Sequence, residues 1–266
     1  MLLKVMNFNI CCGDDPGGNT VIERAPRVAA ILEKYTPDII GLQEYTPVWE
    51  PLIRNMTGGQ YEIFNKYRAE TSLESTPILW KRNRFECIKR GFFWLSDTPN
   101  TESKGWDELF DCFRICEYAV LREIQSGICF AHMNTHFGFG DRGQVASAKL
   151  IYQKSKTVSD FPTFITGDFN MSVGTESYKE MTEHFTDVNS ATACNYEATF
   201  HNYGVNNEEL QSIFPDLKAK GQSVLHIDHC FVSNGITPIN QYVIKDMPGG
   251  GYPSDHYALI SEIVIK

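Results

Sequence analysis

The 266-residue chain lacks long apolar runs, internal repeats and blocks of like charge. Its first six residues are mostly apolar but give way to Asn7, which leaves them shorter than the hydrophobic core of a signal peptide. No segment has the apolar length that a membrane-spanning helix requires. We therefore expect a cytoplasmic protein with no membrane partner.

The eight cysteines lack the paired CxxC spacing that is typical of zinc sites. Cys11 and Cys12 are adjacent, and the others are scattered along the chain. Without a secretion signal, such cysteines predict reduced thiols rather than a disulfide framework.

Positive charge is also scarce, since 24 Lys and Arg residues face 33 Asp and Glu residues and the formal net charge is −9. Proteins that hold long nucleic acids nonspecifically usually present a basic face, because contacts with phosphates supply most of that affinity. The sequence has no basic stripe of this kind. Its composition argues against a nonspecific or processive nuclease and is compatible with a small anionic substrate held by a metal ion and a few cations.

Hydrophobic patterning predicts many short strands and two helices. Apolar residues recur at helical spacing from Val21 to Leu32, and a second helix is predicted over Gly143–Val158. Strands are predicted at 3–10, 39–43, 61–64, 76–80, 85–89, 115–121, 127–135, 164–166, 227–232, 239–244 and 258–265. With no linker-like stretch, this pattern predicts one α/β domain over residues 1–266, in which two sheets pack face to face with helices outside.

Short polar clusters lie at the ends of predicted strands in six places. They are Asn7-Phe8-Asn9, Gln43-Glu44, Thr135-His136, Gly167-Asp168-Phe169-Asn170, Ile227-Asp228 and Ser254-Asp255-His256. Strand ends are where open α/β sheets place their sites, and carboxylate and amide oxygens suit Mg²⁺ or Mn²⁺. Each cluster alone is more often a turn, a solvated pair or a structural histidine. Together they predict the site of a metal-dependent hydrolase.

Six motifs resemble those of the endonuclease/exonuclease/phosphatase superfamily. They are Asn7-Phe8-Asn9-Ile10, Leu42-Gln43-Glu44, Asn134-Thr135-His136, Thr166-Gly167-Asp168-Phe169-Asn170, His226-Ile227-Asp228-His229 and Pro253-Ser254-Asp255-His256. The segments 91–99 and 103–107 are similar to a bacterial branch near the deadenylase–nocturnin group. The resemblance implies a four-layered α/β sandwich, with two mostly antiparallel sheets packed face to face and helices outside.

The resemblance also implies roles for single residues on the metal and water side of the site. Glu44 would be the main ligand of Mg²⁺ or Mn²⁺, with Asn9 beside it and Asp255 nearby. Asp168 would orient or deprotonate the attacking water, and Asn170 would hold a phosphate oxygen. Whether one or two metal ions bind stays open.

Two histidines would face the phosphate, each with a carboxylate behind it. The resemblance pairs His256 with Asp228 and His136 with Glu74. A nearby carboxylate favours the charged form of an imidazole, so His256 is expected to be an imidazolium. Because the four residues are far apart in sequence, we predict that folding brings both pairs to the same cleft.

Other residues are candidates for contact with the rest of the substrate. Arg68 and Lys104 are predicted to bind a distal phosphate, and Trp94 and His201 are candidate recognition groups. A solvated charge or a core aromatic side chain is the alternative for each. Cys11 stands where AP endonucleases have an acidic residue, which argues against that activity.

These observations predict a Mg/Mn-dependent phosphoric ester hydrolase that acts by direct attack of an activated water. We favour a small phosphorylated metabolite, either a sugar phosphate or a nucleotide, because the chain is acidic. The first alternative is a 3′-exonuclease or endonuclease, which would need a basic groove built from dispersed residues such as Lys81, Arg82 and Arg84. A catalytically inactive binding module is the alternative from another class. No protein partner is inferred.

Overall fold

Two six-stranded sheets form the centre of the protein, whose computed structural model describes residues 1–192, 196–205 and 225–266. The first sheet contains, in spatial order, β11 (Ile236–Ile244), β12 (Ala258–Ile265), β1 (Leu2–Asn9), β2 (Ile39–Gln43), β4 (Ile78–Lys81) and β3 (Tyr61–Phe64). The second contains β5 (Phe85–Trp94), β6 (Ile115–Glu123), β7 (Cys129–His136), β8 (Thr163–Asp168), β10 (Asp228–Val232) and β9 (Thr186–Asp187). Among these strands, β1–β2 and β7–β8 are the parallel pairs and the remaining pairs are antiparallel.

Helices cover the outer face of each sheet. Side chains of α1 (Val21–Tyr35) and α2 (Trp49–Met56) pack on the first sheet, and those of α3 (Asp141–Val158) and α4 (Glu176–Thr182) pack on the second. A further helix is α5 (Val188–Ala191), and single 3₁₀ turns lie at Asn202–Gly204 and Pro248–Gly250. The predicted four-layered α/β sandwich is therefore confirmed. In the part of the chain that the structure describes, no helix is long and apolar enough to cross a membrane.

The strands change from apolar to polar along the face that lies between the sheets. On β1, Leu3 and Val5 belong to the core between the sheets, whereas Met6 and Phe8 point to the helices. Alternation along a strand puts Asn7 on the same face as Leu3 and Val5. The side chains on the inner face of β8 also change from apolar to polar, from Phe164 through Thr166 to Asp168. The polar ends of these strands lie together at one end of the sandwich.

Buried amide side chains join the two sheets at this polar end. Gln43 Nε2 donates to Asn7 Oδ1 at 2.8 Å and to Asn134 Oδ1 at 2.8 Å. Asn134 Nδ2 donates to the carbonyl of Leu42 at 2.7 Å, and its Oδ1 accepts from Thr166 Oγ1 at 2.9 Å. Residues of both sheets share this network, so it fixes their separation and register.

Gly41 lies where β2 approaches the second sheet most tightly. A Cβ atom at this position would lie 2.5 Å from Asn134 Oδ1 and closer still to Thr166 Oγ1. We expect Gly41→Ala to lower the free energy of unfolding by about 1–3 kcal/mol, because overpacking displaces the amide network. Urea unfolding measures this loss. Gly13→Ala is the control, since its Cβ would meet nothing nearer than 3.9 Å. Equal stability of the two variants would contradict the account.

Candidate active site

Asp168 is the centre of the polar end of the sandwich. Its Oδ2 accepts a hydrogen bond from Asn9 Nδ2 at 3.0 Å. The Nε2 atoms of His136 and His256 lie 3.4 Å and 3.6 Å from the same oxygen. Burial raises the pKa of the Asp168 carboxyl, and the charges of the two histidines oppose that rise. Both imidazole rings therefore point at one buried carboxylate.

His256 is held by a second carboxylate on the other side of its ring. Its Nδ1 lies 2.8 Å from Asp228 Oδ2, and Asp228 Oδ1 accepts from Asn7 Nδ2 at 3.2 Å. Burial disfavours the imidazolium form, but the charges of Asp228 and Asp168 outweigh it and raise the pKa of His256 to about 10. The structure thus places Asp228 behind His256, and the imidazolium form prevails at neutral pH.

His136 has a looser relation to its expected partner. Its Nδ1 lies 3.7 Å from Glu74 Oε1, which is an ion-pair separation and longer than a direct hydrogen bond. Glu74 instead forms a bidentate ion pair with Arg68, whose Nη1 and Nη2 donate to its two oxygens at 2.7 Å and 2.6 Å. Arg68 Nε donates to Ser72 Oγ at 2.9 Å. Arg68 was predicted to bind a distal phosphate, yet here its donors are committed to orienting Glu74.

Glu44 and Asp255 form the part of the site that fits a metal ion. Burial raises the pKa of Glu44, but the charge of His136 and the hydrogen bonds from Cys12 and Asn9 lower it to about 2. Burial raises the pKa of Asp255 to about 6, with the charge of His256 opposing and that of Glu44 adding to the rise. Two half-buried carboxylates whose charges repel each other are a hard-oxygen donor set of the kind Mg²⁺ or Mn²⁺ prefers.

Asn9 supports this donor set in a different way from the one expected. Its Nδ2 donates to Glu44 Oε1 at 3.1 Å as well as to Asp168 Oδ2. Its Oδ1 accepts from the backbone N–H of Cys11 at 3.0 Å. Asn9 therefore braces two carboxylates with its N–H groups, and its oxygen would have to leave Cys11 to bind a metal.

A second group of potential ligands lies beside the first. Ligand atoms of Asp168, Asp228 and His256 lie within 4.8 Å of one another. The short contact between His256 and Asp228 already occupies one imidazole nitrogen and one carboxylate oxygen of this group. Glu44 accepts from Asn9 Nδ2 and the backbone N–H of Cys12, and Asp255 accepts from Ser254 Oγ, so the hydrogen bonds of this second pair of carboxylates come from neutral donors.

The backbone at two of these positions is strained. Glu44 has φ 59° and Asn170 has φ 47°, in the left-handed region that residues other than glycine rarely adopt. Asn170 is held there because Asp168 Oδ1 accepts from its backbone N–H at 2.9 Å and its Nδ2 donates to the carbonyl of Phe137 at 3.0 Å. Strain of this kind is retained where the surrounding structure enforces it, as at functional sites.

These residues line one cleft of about 1110 Å³. Its lining includes Glu44, Glu74, His136, Asp168, Asn170, Asp255 and His256, together with Arg68, Arg114 and Phe200. The ring of Phe200 packs 4.9 Å from that of His256. Segments spread over more than 200 residues of sequence thus contribute to one site.

Residues 6–256 match the profile of the Endonuclease/Exonuclease/phosphatase family. The chain belongs to this family. The resemblance seen in the sequence is confirmed, and members of the family are hydrolases of phosphate esters.

Two solved structures of bacterial members are similar to this chain along its length. A family protein from Bacteroides thetaiotaomicron is 25% identical with a TM-score of 0.85, and the match covers 100% of this chain and 98% of that one. A mannosyl-6-phosphatase from the same species is 25% identical with a TM-score of 0.82, covering 99% and 100% of the two chains. An uncharacterized protein of Acanthamoeba polyphaga mimivirus is 26% identical over an alignment of 217 positions, and the match covers 66% of this chain but only 31% of that protein. The chain thus spans about a third of that viral relative.

The structure does not bring three of the predicted recognition residues into the cleft lining. Trp94 is buried and its Nε1 donates to the carbonyl of Arg68 at 2.8 Å, so it supports that loop. Lys104 is exposed and forms an ion pair with Asp111. His201 is buried against Tyr257, with 3.9 Å between ring centroids, and burial together with the charge of His256 lowers its pKa to about 3. These positions correct the expectation that the three side chains meet the substrate.

Sequence reasoning missed another set of cleft residues. Arg114 lines the cleft, and its Nη2 lies 3.1 Å from Asp107 Oδ2. Phe110 and Phe139 also line it, on two loops that flank the site. A phenylalanine between two predicted strands was the signal that the sequence offered for Phe110. Nothing in the spacing indicated that the two loops meet.

Asp228→Asn tests whether turnover depends on the ion pair between Asp228 and the His256 imidazolium. We expect kcat for phosphate ester hydrolysis to fall by about 10²-fold or more, because the imidazolium loses its buried counter-charge. Steady-state kinetics measures this loss. Asp246→Asn, at a surface carboxylate paired with Lys34, is the matched control and should keep the wild-type rate. Wild-type kcat in Asp228→Asn would show that the pair has no part in turnover.

Proposed function

We propose that the protein is a divalent-metal-dependent phosphoric ester hydrolase in which a water oriented by Asp168 attacks phosphorus directly. The observation that carries the proposal is the position of the Asp168 carboxylate, buried between two imidazole rings and joined to Glu44 through Asn9 Nδ2, which donates to both carboxylates. A carboxylate in this setting can align a water and accept its proton. The complete set of polar groups argues against an inactive binding module.

In this proposal, metal binding, orientation of the water and stabilisation of the phosphoryl charge fall to different residues. Glu44 and Asp255 would hold Mg²⁺ or Mn²⁺, which supplies Lewis-acid polarisation of a phosphoryl oxygen when bound. Asp168 would orient the water opposite the leaving oxygen. The His256 imidazolium and the Asn170 side chain would stabilise negative charge that grows on the phosphoryl oxygens, since both are held in place before the reaction begins.

A small phosphorylated metabolite, and a sugar phosphate in particular, is the substrate class we favour. The similar mannosyl-6-phosphatase supports it. The charge of the cleft supports it too, because Arg68 and Arg114 are the only Lys or Arg residues among its described lining and each is ion-paired. A nuclease would need a basic groove. Among the residues considered for one, Lys81, Arg82 and Arg84 pair with carboxylates outside the cleft, so nuclease activity is the weaker candidate.

Two broader expectations accompany this proposal. We infer a cytoplasmic protein, which the seven described free cysteines support. We also infer a single domain over residues 1–266, which is supported by a family match that spans most of the chain.

Metal dependence is the first consequence to test. We expect EDTA to abolish hydrolysis of a hexose 6-phosphate and added Mg²⁺ or Mn²⁺ to restore it, because hard oxygen ligands release and rebind these ions readily. Release of inorganic phosphate measures both steps. Full turnover in metal-free buffer would contradict the proposal.

Two variants distinguish the role of Glu44 as a metal ligand from the role of Asp168 in activating water. We expect Glu44→Gln to weaken Mn²⁺ binding about tenfold or more, because a charged ligand is lost. Asp168→Ala should bind Mn²⁺ nearly as well as the wild type but lose most of its turnover. Calorimetric titration with Mn²⁺ gives the affinity, and phosphate release gives the rate. Unchanged Mn²⁺ affinity in Glu44→Gln would place the ion elsewhere.

A further inference from the structure

Two loops form an outer wall of the cleft, which we define as residues 108–110 and 139–141. Residues of both loops line the same space as the catalytic groups. At about 1110 Å³ the cleft is slightly larger than the usual range for small-molecule sites. A phosphoryl group bound at Asp168 occupies only its inner part, so the alcohol that leaves the phosphate must face the outer wall.

The outer wall presents apolar surface at the mouth of the cleft. Leu109 is 64% exposed and Phe110 is 52% exposed. The ring of Phe110 meets that of Phe139 edge to face, with centroids 5.5 Å apart. Exposed apolar groups that line a cleft mark a surface for ligand contact, and aromatic faces pack well against the C–H faces of rings.

Hydrogen bonds hold this wall in place before any ligand binds. Asp107 Oδ1 accepts from the backbone N–H groups of Leu109 at 3.0 Å and Phe110 at 2.8 Å. The backbone N–H of Glu108 donates to the carbonyl of Phe139 at 2.9 Å. A wall that is already ordered loses little conformational entropy on binding, so its contacts can contribute to affinity.

The charge of the wall disfavours a second phosphate. Glu108 Oε1 accepts from the backbone N–H of Gly143 in the first turn of α3 at 3.0 Å, so the chain's own carboxylate takes the place that an anion would occupy. Arg68 and Arg114 are matched by Glu74 and Asp107. The outer cleft therefore carries no surplus positive charge among the lining residues that the structure describes.

We propose that the outer wall is the leaving-group subsite, and that it selects sugar monophosphates by packing Phe110 on the sugar ring while Glu108 disfavours a second phosphate. This inference rests on the proposed phosphate ester hydrolysis. It assigns specificity to two side chains that take no part in the attack on phosphorus.

The role of Phe110 is tested with a hexose 6-phosphate and with glycerol 3-phosphate, which has no ring. In Phe110→Ala, we expect KM for the hexose ester to rise about tenfold relative to KM for the glycerol ester, because only the hexose ring loses a packing partner. The ratio of the two kcat values should stay as in the wild type. Phe161→Ala, which removes a 44% exposed ring outside the cleft lining, should leave both KM values unchanged.

The role of Glu108 is tested with a hexose 1,6-bisphosphate. In Glu108→Gln, we expect kcat/KM for the bisphosphate to rise at least about fivefold relative to that for the 6-phosphate, because like-charge repulsion is removed. Glu183→Gln removes an exposed carboxylate outside the cleft lining and should leave this ratio unchanged.

The outcomes separate this inference from the proposed function. If the wild type hydrolyses hexose 6-phosphate with Mg²⁺ but the Phe110 and Glu108 variants keep the wild-type substrate ratios, the subsite is wrong and the hydrolase proposal stands. If the wild type hydrolyses none of the three esters with Mg²⁺ or Mn²⁺, the proposed function fails and the subsite fails with it. Shifted ratios in both variants, with neither control affected, support the subsite.

Discussion

The layer of buried amides between the two sheets is the constraint on which the site depends. Asn134 donates to the carbonyl of Leu42 in the first sheet and accepts from Thr166 in the second, while Gln43 links it to Asn7. Unpaired amides at this depth would be costly, so a shift of one sheet against the other breaks several bonds at once. Asn7 also donates to Asp228, which links this layer directly to the groups that hold His256.

Electrostatics explains why so many ionisable groups can be buried beside that layer. A buried charge is tolerated when a partner compensates it. His256 lies between Asp228 and Asp168, so its imidazolium and the two carboxylates stabilise one another. The negative charges of Glu44 and Asp255 are less well compensated, since the charge of Glu44 adds to the rise in the Asp255 pKa. A divalent cation bound there would remove this imbalance, so the proposed metal would stabilise the folded protein as well as take part in catalysis.

Much of the fold and the inner site could be predicted because they depend on local patterns. Alternating strands with polar ends indicated both the sandwich and the clustering of Glu44, Asp168 and His256. The short helices α2 and α4 were missed, since a few turns give little periodicity. The pairing of Arg68 with Glu74, rather than with substrate, follows from the path of one loop. The outer wall depends on two loops that meet only in the folded chain, and spacing carries no signal for such a contact.

The most direct test of the account is the position of the metal ion relative to Asp168. Anomalous diffraction from a crystal of the protein soaked in Mn²⁺ would locate the ion without reference to activity. We predict a peak within coordination distance of the Glu44 and Asp255 carboxylates, with the His256 ring still hydrogen-bonded to Asp228. A single peak ligated by Asp168, Asp228 and His256 would contradict it, because the group assigned to the water would then be a metal ligand.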